Sequence, residues 1–142
     1  MISIALALPL LAVFFAQGLG PWWFDLALQP GNWSSWWTIF TSVWLHASIG
    51  HVLSNLFSLA LLITLGSYTY PRTMSFVIPA SVIGAGLAIL ILGSSTAGHV
   101  GASGISYGLM AMFVSMAAVR RTRMSAAVLM IVVFFFGAAW WG

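Results

Sequence analysis

Charged side chains are almost absent from this sequence. They make up 4% of the 142 residues, whereas hydrophobic side chains make up 62%. Soluble domains carry about 25% charged residues, so this chain cannot cover a surface that faces water. It has no lysine, its single acidic residue is Asp25, and its net charge of +3 comes from a few arginines. Because nucleic-acid binding needs a basic stripe in polar surroundings, we predict a protein of the lipid bilayer that does not bind nucleic acid.

Cysteine is absent as well. This excludes disulfide bonds, a thiol nucleophile and a thiolate metal site. The three histidines, His46, His51 and His99, have neither a recognised metal-ligand spacing nor a carboxylate beside them. Zinc sites require such a set of ligands. We therefore expect neither a metal ion nor another cofactor.

Long apolar runs dominate the rest of the sequence. A bilayer is crossed by about 20 apolar residues, and 17 to 25 is the usual range. We predict an all-α membrane protein, a polytopic bundle of about five transmembrane helices in a single domain covering 1–142. The predicted spans are 3–19, 50–70, 74–93, 102–119 and 124–141.

The arginines predict the orientation. Arg72 follows the second span, and Arg120, Arg121 and Arg123 follow the fourth. With five spans these connections lie on one side, which the positive-inside rule makes cytoplasmic. The N-terminus is then cytoplasmic and the loop at 20–49 lies outside, in what we expect to be the plasma membrane.

The loop at 20–49 is rich in tryptophan, a residue that prefers the lipid headgroup region. We expect this loop to lie in the outer interface; an aromatic patch that binds a ligand is the alternative. The first span could also be a cleaved signal peptide, but it lacks a basic region and a clear cleavage site. The tryptophans of the loop are Trp22, Trp23, Trp33, Trp36, Trp37 and Trp44.

Polar side chains within spans are functional candidates because the membrane makes them costly. His51 and Asn55 are four residues apart in the second span, and Ser103 and Tyr107 have the same spacing in the fourth. Residues at this spacing share a helix face. At about 1.5 Å per residue from the cytoplasmic arginines, His51, Asn55 and Ser103 lie at similar depth in the outer half of the membrane.

The fourth span also carries a stripe of small residues that includes Gly101, Gly104 and Gly108. Such stripes let helix backbones approach closely, so we expect this helix to be central. Ser103 would then lie near free backbone N–H groups that can stabilise an oxyanion.

Each feature alone has a simpler interpretation. A serine in a membrane helix often bonds its own backbone, and glycines can serve packing alone. His46 and His99 are then interfacial polar tips.

Two stretches together resemble the rhomboid family of intramembrane serine proteases: WWTIFTSVWLHASIGHVLSNLFSL (36–59) and GASGISYGLM (101–110). The family pattern has His-xxx-Asn in the second span and Gly-x-Ser-Gly at the head of the fourth, with a tyrosine one turn later. His46 matches a histidine that is common just before the second span. The matching residues here are His51, Asn55, Gly101, Ser103, Gly104 and Tyr107.

The resemblance implies hydrolysis of transmembrane protein substrates by a serine–histidine dyad without a cofactor. Ser103 would be the nucleophile. His51 and Asn55 would form the oxyanion hole with the backbone N–H of Ser103, and Tyr107 would pack against the general base. Gly101 and Gly104 would permit close helix contact.

The sequence departs from the family pattern at two points. A Trp-Arg pair in the first loop reads Trp37–Thr38 here, and no histidine follows His99. The family's base is a histidine on a sixth span, so we expect this chain to lack that helix and its base. His51 could replace it only by leaving the oxyanion hole. His99 lies on the same side as Ser103, four residues before it.

Three interpretations therefore stay open within the family. The chain could be a truncated protease domain, an inactive rhomboid-like pseudoprotease that binds transmembrane segments, or an enzyme whose base comes from another histidine or another chain. Outside the family, the alternative is a small transporter or channel component with the polar cluster as its path. The absence of charged residues within the spans argues against that alternative.

Overall fold

The computed structural model describes residues 2–93 and 98–137. Three short 3₁₀ turns, at Pro21–Leu26, Trp33–Ser35 and Ser42–Trp44, occupy much of the long first connection. The prediction of an all-α helical bundle is confirmed. Within the described residues the α-helices are α1 (Ile2–Gln17), α2 (Thr38–Thr41), α3 (Ile49–Thr69), α4 (Pro71–Leu92), α5 (Ser103–Arg120) and α6 (Arg123–Phe136).

Three of these helices, α3, α4 and α5, are long and apolar enough to cross a membrane. They coincide closely with the predicted spans 50–70, 74–93 and 102–119. α1 and α6 correspond to the first and fifth predicted spans. Their described apolar parts are shorter, Ala7–Gln17 and Arg123–Phe136, and residues 138–141 of the fifth predicted span lie outside the described residues. Five crossings therefore stay a prediction.

Local chemistry sets the helix ends. Ser48 precedes α3 and has an extended backbone. Its side chain accepts a 3.1 Å hydrogen bond from the N–H of His51 in the first turn of the helix. Arg121 is left-handed, with φ of 49°, and ends α5. Thr122 and Ser125 then exchange hydrogen bonds in a capping box that begins α6. The side chains of Ser48 and Thr122 thus accept from N–H groups that have no acceptor within their helices.

Helix α5 lies at the centre of the bundle and packs against α3, α4 and α6, while α1 packs against α3. Since lipid tails are as apolar as the core side chains, close packing rather than hydrophobic burial favours helix association in a membrane. The small-residue stripe fits this central position. The core includes Val52, Leu59, Leu62, Leu109, Phe113, Val128 and Val132.

Helices α3 and α5 run in the same direction. At their far ends, the Tyr70 ring lies 6.1 Å from the Phe113 ring. The Arg120 guanidinium lies 5.5 Å from the centre of the Tyr70 ring, which is a cation–π arrangement. Arg72 and Arg120 thus lie at the same end of the bundle, and the orientation of that end in the membrane stays a prediction.

The long connection between α1 and α3 is tied to the opposite end. Leu28 and His99 exchange two backbone hydrogen bonds, of 3.0 and 2.7 Å, and the N–H of Gly31 donates to the Leu90 carbonyl at 3.0 Å. This pins the connection to the end of α4 and to the segment that enters α5. Its exposed tryptophans are Trp22, Trp33, Trp36, Trp37 and Trp44.

Candidate active site

His51 and Asn55 occupy the first two turns of α3, and both face the segment that enters α5. His51 is partly buried, and Asn55 is 4% exposed. The Asn55 Nδ2 atom has no hydrogen-bond partner among the described residues. A buried donor without an acceptor costs roughly 1–3 kcal/mol. This amide is therefore available to a ligand that brings an acceptor.

Gly101 is the residue that His51 and Asn55 meet. Its φ of 114° is rarely adopted by residues with a side chain. A Cβ at this position would lie 2.6 Å from Cε1 and Nε2 of His51 and 3.3 Å from Nδ2 of Asn55. The Gly101 N–H donates to the Ser42 carbonyl at 2.9 Å. The missing side chain thus makes room for the His51 ring.

Gly104 and Gly108 face a different neighbour, helix α4. A Cβ on Gly104 would lie 2.6 Å from the Ala85 Cβ, and a Cβ on Gly108 would overlap the side chain of Ser81. Backbones approach this closely only where side chains are missing. The glycines around Ser103 therefore hold α5 against α3 on one side and α4 on the other.

Ser103 is the first residue of α5 and lines a cavity of about 90 Å³. The cavity lies between α4, the connection that joins α1 to α3, and the start of α5. Ser42, Ser81 and His99 contribute polar groups to its wall. Gly101 also lines it, whereas His51 and Asn55 do not. The structure thus brings His51 and Asn55 to Gly101, and Ser103 to the adjoining cavity.

The start of α5 supplies further donors. The first N–H groups of any helix have no acceptor within it, and Ser103 and Gly104 hold the first two positions here. The positive end of the helix dipole lies at the same point. This arrangement can stabilise negative charge on an oxygen held beside Ser103.

Tyr107 lies one turn after Ser103 and is 55% exposed. Val114 and Ala111 are exposed on the same side of α5, further along the helix. The structure therefore places Tyr107 on an open face of α5. Its contact with a general base stays a prediction.

The expectation that His46 is an interfacial polar tip is wrong. The residue is 1% exposed, because the end of α1 holds its backbone inside the fold. The Gln17 side chain donates to the His46 carbonyl at 3.1 Å and accepts from its N–H at 2.9 Å. Sequence analysis did not single out Gln17, although an amide near the end of a long apolar run is a signal that could have done so.

His46 lies against His51 and is held neutral. Burial lowers the pKa of His46 from 6.5 to about 4, the neighbouring His51 contributes in the same direction, and a backbone hydrogen bond with Trp44 opposes both. The Nδ1 atom lies 3.2 Å from the Trp44 carbonyl. Since a carbonyl accepts, Nδ1 carries the proton, and Nε2 has a free lone pair without a partner among the described residues.

We expect the protein to lose stability as the pH falls from 6.5 towards 4, the two pKa values of His46. In this window the unfolded chain binds a proton at His46 and the folded chain does not, so acid favours unfolding. The contribution is at most about 1.4 kcal/mol per pH unit. Unfolding in detergent at pH 7 and pH 5 measures it. His46→Phe should reduce the difference and His99→Gln should retain it; an unchanged pH dependence in His46→Phe contradicts the prediction.

The interpretation of His99 as an interfacial polar tip stays a prediction. The backbone of His99 is held by Leu28, its side chain is partly buried, and its Nε2 atom lacks a partner among the described residues. It lines the same cavity as Ser103. Among the described residues, no group of three or more potential ligands could hold a metal ion.

A comparison with protein families matches residues 34–142 to the Rhomboid domain. The matched region covers most of the chain and includes His51, Asn55 and Ser103. The chain belongs to the rhomboid family. Searches of curated proteins and of solved structures gave no significant match. Rhomboid proteins are integral to the membrane, in agreement with the three long apolar helices.

One position departs from the rhomboid pattern in a way that the structure clarifies. Thr38 stands where the family has the arginine of a Trp-Arg pair. It is fully buried, and its hydroxyl donates to the Ser35 carbonyl at 2.7 Å. In this rhomboid domain a small buried hydroxyl group therefore occupies the position at which the family has an arginine side chain.

Proposed function

We propose that this chain is a rhomboid-type intramembrane serine protease domain with Ser103 as its nucleophile. The observation that carries the proposal is the meeting of His51 and Asn55 at Gly101, two residues before Ser103 enters α5. Two side-chain donors and the N-terminus of a helix then surround the same short segment. Family membership supports the same reaction class.

The chemistry would be the hydrolysis of a peptide bond. The Ser103 hydroxyl attacks the carbonyl carbon while an imidazole takes its proton. The negative charge that develops on the carbonyl oxygen is stabilised by the Ser103 N–H, the Asn55 amide and His51. The C–N bond then breaks, the amine leaves with the proton, and water hydrolyses the acyl-enzyme.

The Asn55 amide suits its role for a physical reason. Its Nδ2 atom is buried and has no partner among the described residues. A donor that is already desolvated and fixed needs little reorganisation when charge develops. The substrate oxygen would provide the acceptor that the folded chain leaves open.

The reaction also needs a general base that takes the proton of Ser103. Residues 104–142 contain no histidine, so the family's base has no counterpart there. His99 shares the Ser103 cavity and has a buried Nε2 atom without a partner in the described chain. Among the three histidines of the sequence, His99 is therefore the best candidate for the general base, because its use leaves His51 in the oxyanion hole.

We further propose the setting of the reaction. The arginine-rich end of the bundle is assigned to the cytoplasm by the positive-inside rule, so the Ser103 cavity opens towards the outer half of the plasma membrane. Substrates would be transmembrane protein segments. The exposed tryptophans of the first loop fit the headgroup region at that level.

The second candidate function is that of an inactive rhomboid-like protein that binds transmembrane segments. The observation that favours it is the exposed face of α5 that carries Tyr107, Ala111 and Val114, on which another helix could pack. Binding of helices needs no base and would use the same open faces.

Labelling with a fluorophosphonate separates the two candidates. We expect the purified chain in detergent to be labelled, and Ser103→Ala to abolish the labelling, because the probe reacts only with an activated serine. Ser106→Ala is the matched control, since this neighbouring hydroxyl is buried on α5 without a partner in the described chain; its labelling should persist. His99→Ala should slow labelling if His99 is the base.

The opposite result is equally informative. No labelling of the unmodified chain between pH 6 and 9 would refute independent catalysis. Crosslinking to single-span membrane proteins that persists in Ser103→Ala would then favour the binding function.

A further inference from the structure

The His46 ring is fixed on several sides. Gln17 holds its backbone through two hydrogen bonds, the Trp44 carbonyl accepts from Nδ1, and the ring is fully enclosed. A side chain held in this way has a single orientation. These restraints come from α1 and the outer loop, and neither element contains a residue of the proposed reaction.

His51 lies directly against this fixed ring. The two ring centres are 5.1 Å apart with an angle of 72° between their planes, which is an edge-to-face arrangement. Rings in such contact prefer centre distances of about 4.5–7 Å. His51 also lies at Gly101, where the missing side chain leaves space for Cε1 and Nε2. The His51 ring thus has a rigid neighbour in His46 and a closely fitting backbone at Gly101.

We propose that His46 is a positioning residue for His51: its fixed ring holds the His51 ring against Gly101 by edge-to-face contact. The role rests on the proposed function, in which His51 is an oxyanion donor. His46 itself touches no reacting atom. It acts by limiting the orientations of a side chain that does.

The tautomer of His46 supports this role. With the proton on Nδ1, the ring is neutral, and its partner is the loop backbone at Trp44 rather than a charged group. A neutral ring leaves His51 free to interact with a substrate oxygen. The neutral state follows from burial, which disfavours the imidazolium form.

The contact can be tested by ring ¹⁵N NMR on the full chain labelled at histidine. The sequence contains three histidines, so replacement of each one assigns its signals. His46→Gln removes the ring but keeps a polar side chain, whereas His46→Phe keeps a ring. We expect His46→Gln to shift the His51 ring signals towards the mixed tautomers of a free imidazole. His46→Phe should leave them close to the original.

A second measurement follows the reaction. We expect His46→Gln to slow fluorophosphonate labelling of Ser103 by about 10- to 100-fold, the cost of a misplaced catalytic group, and His46→Phe to restore the rate to within about threefold. His99→Gln serves as the NMR control, because this ring is not in contact with His46 and should leave the His51 signals unchanged.

The outcomes distinguish this inference from the proposed function. If the unmodified chain is not labelled, the protease proposal fails, and the NMR comparison still decides the role of His46. His51 signals that do not change in His46→Gln would overturn the positioning role. Equal changes in His46→Gln and His46→Phe would overturn it as well, since the ring contact would then have no part. Where His46→Gln does not fold, a changed His51 spectrum in His46→Phe is the overturning result.

Discussion

Gly101→Ala is expected to lower the free energy of unfolding by roughly 3 kcal/mol or more, through backbone strain and overpacking together. The φ of 114° is unfavourable for alanine. In addition, the new methyl group would lie 2.6 Å from the His51 ring, so that ring has to move. Denaturant-induced unfolding in detergent measures the loss. Labelling of Ser103 should fall along with it, because His51 leaves its place.

Gly31→Ala is the control for the backbone part of this effect. Gly31 has a φ of 72°, but no atom of the described residues lies within 4 Å of the position that its Cβ would take. It should therefore cost about 1–2 kcal/mol, the conformational penalty alone, and leave labelling intact. If Gly31→Ala and Gly101→Ala lower the free energy of unfolding equally, the contact between the new methyl group and His51 does not contribute to the loss.

Gly108→Ala is expected to destabilise the bundle by about 2–3 kcal/mol through overpacking between α4 and α5. The added Cβ would overlap the Ser81 hydroxyl and lie 2.5 Å from the Ser81 Cβ. Rotation of the hydroxyl does not relieve the second contact, so the helices have to separate. Thermal unfolding in detergent measures the effect.

A second substitution makes this prediction specific. Ser81→Gly removes the atoms that meet the new methyl group, so the double variant should be more stable than the sum of the two single effects. Gly84 lies on α4, and no atom of the described part of the chain lies within 4 Å of its added Cβ. Gly84→Ala should therefore be neutral or slightly stabilising, because alanine favours helix. Additive losses in the double variant would contradict a direct Gly108–Ser81 contact.

The membrane helices could be predicted because one physical rule determines them. Apolar runs that match the thickness of a bilayer form helices, since their backbone groups have no water to bond. This rule placed α3, α4 and α5 almost at their observed ends. Among these three helices the prediction was least precise at the start of α4, which begins at Pro71 rather than at 74. Proline is favoured at the first position of a helix, and this local preference is not a property of the hydrophobic pattern.

The candidate site could be predicted in part. The four-residue spacing of His51 and Asn55 indicated a shared helix face, because residues four positions apart in an α-helix always lie on the same side. The spacing could not show that Gly101 is the partner of both residues, because that contact joins two helices across the bundle. Burial of His46 depends on the Gln17 side chain, which lies 29 positions earlier in the chain. A contact between residues so far apart in the chain cannot be predicted from a local sequence pattern.

The parallel pair α3 and α5 has a consequence for motion. The two helices touch at both ends, through Gly101 at one end and through Tyr70 and Arg120 at the other. Tilting one helix against the other would break a contact at one of these ends. Helix α4 is packed closely against α5 as well, at Gly104 and Gly108. We therefore expect a crosslink between α3 and α5 to leave the labelling of Ser103 unchanged.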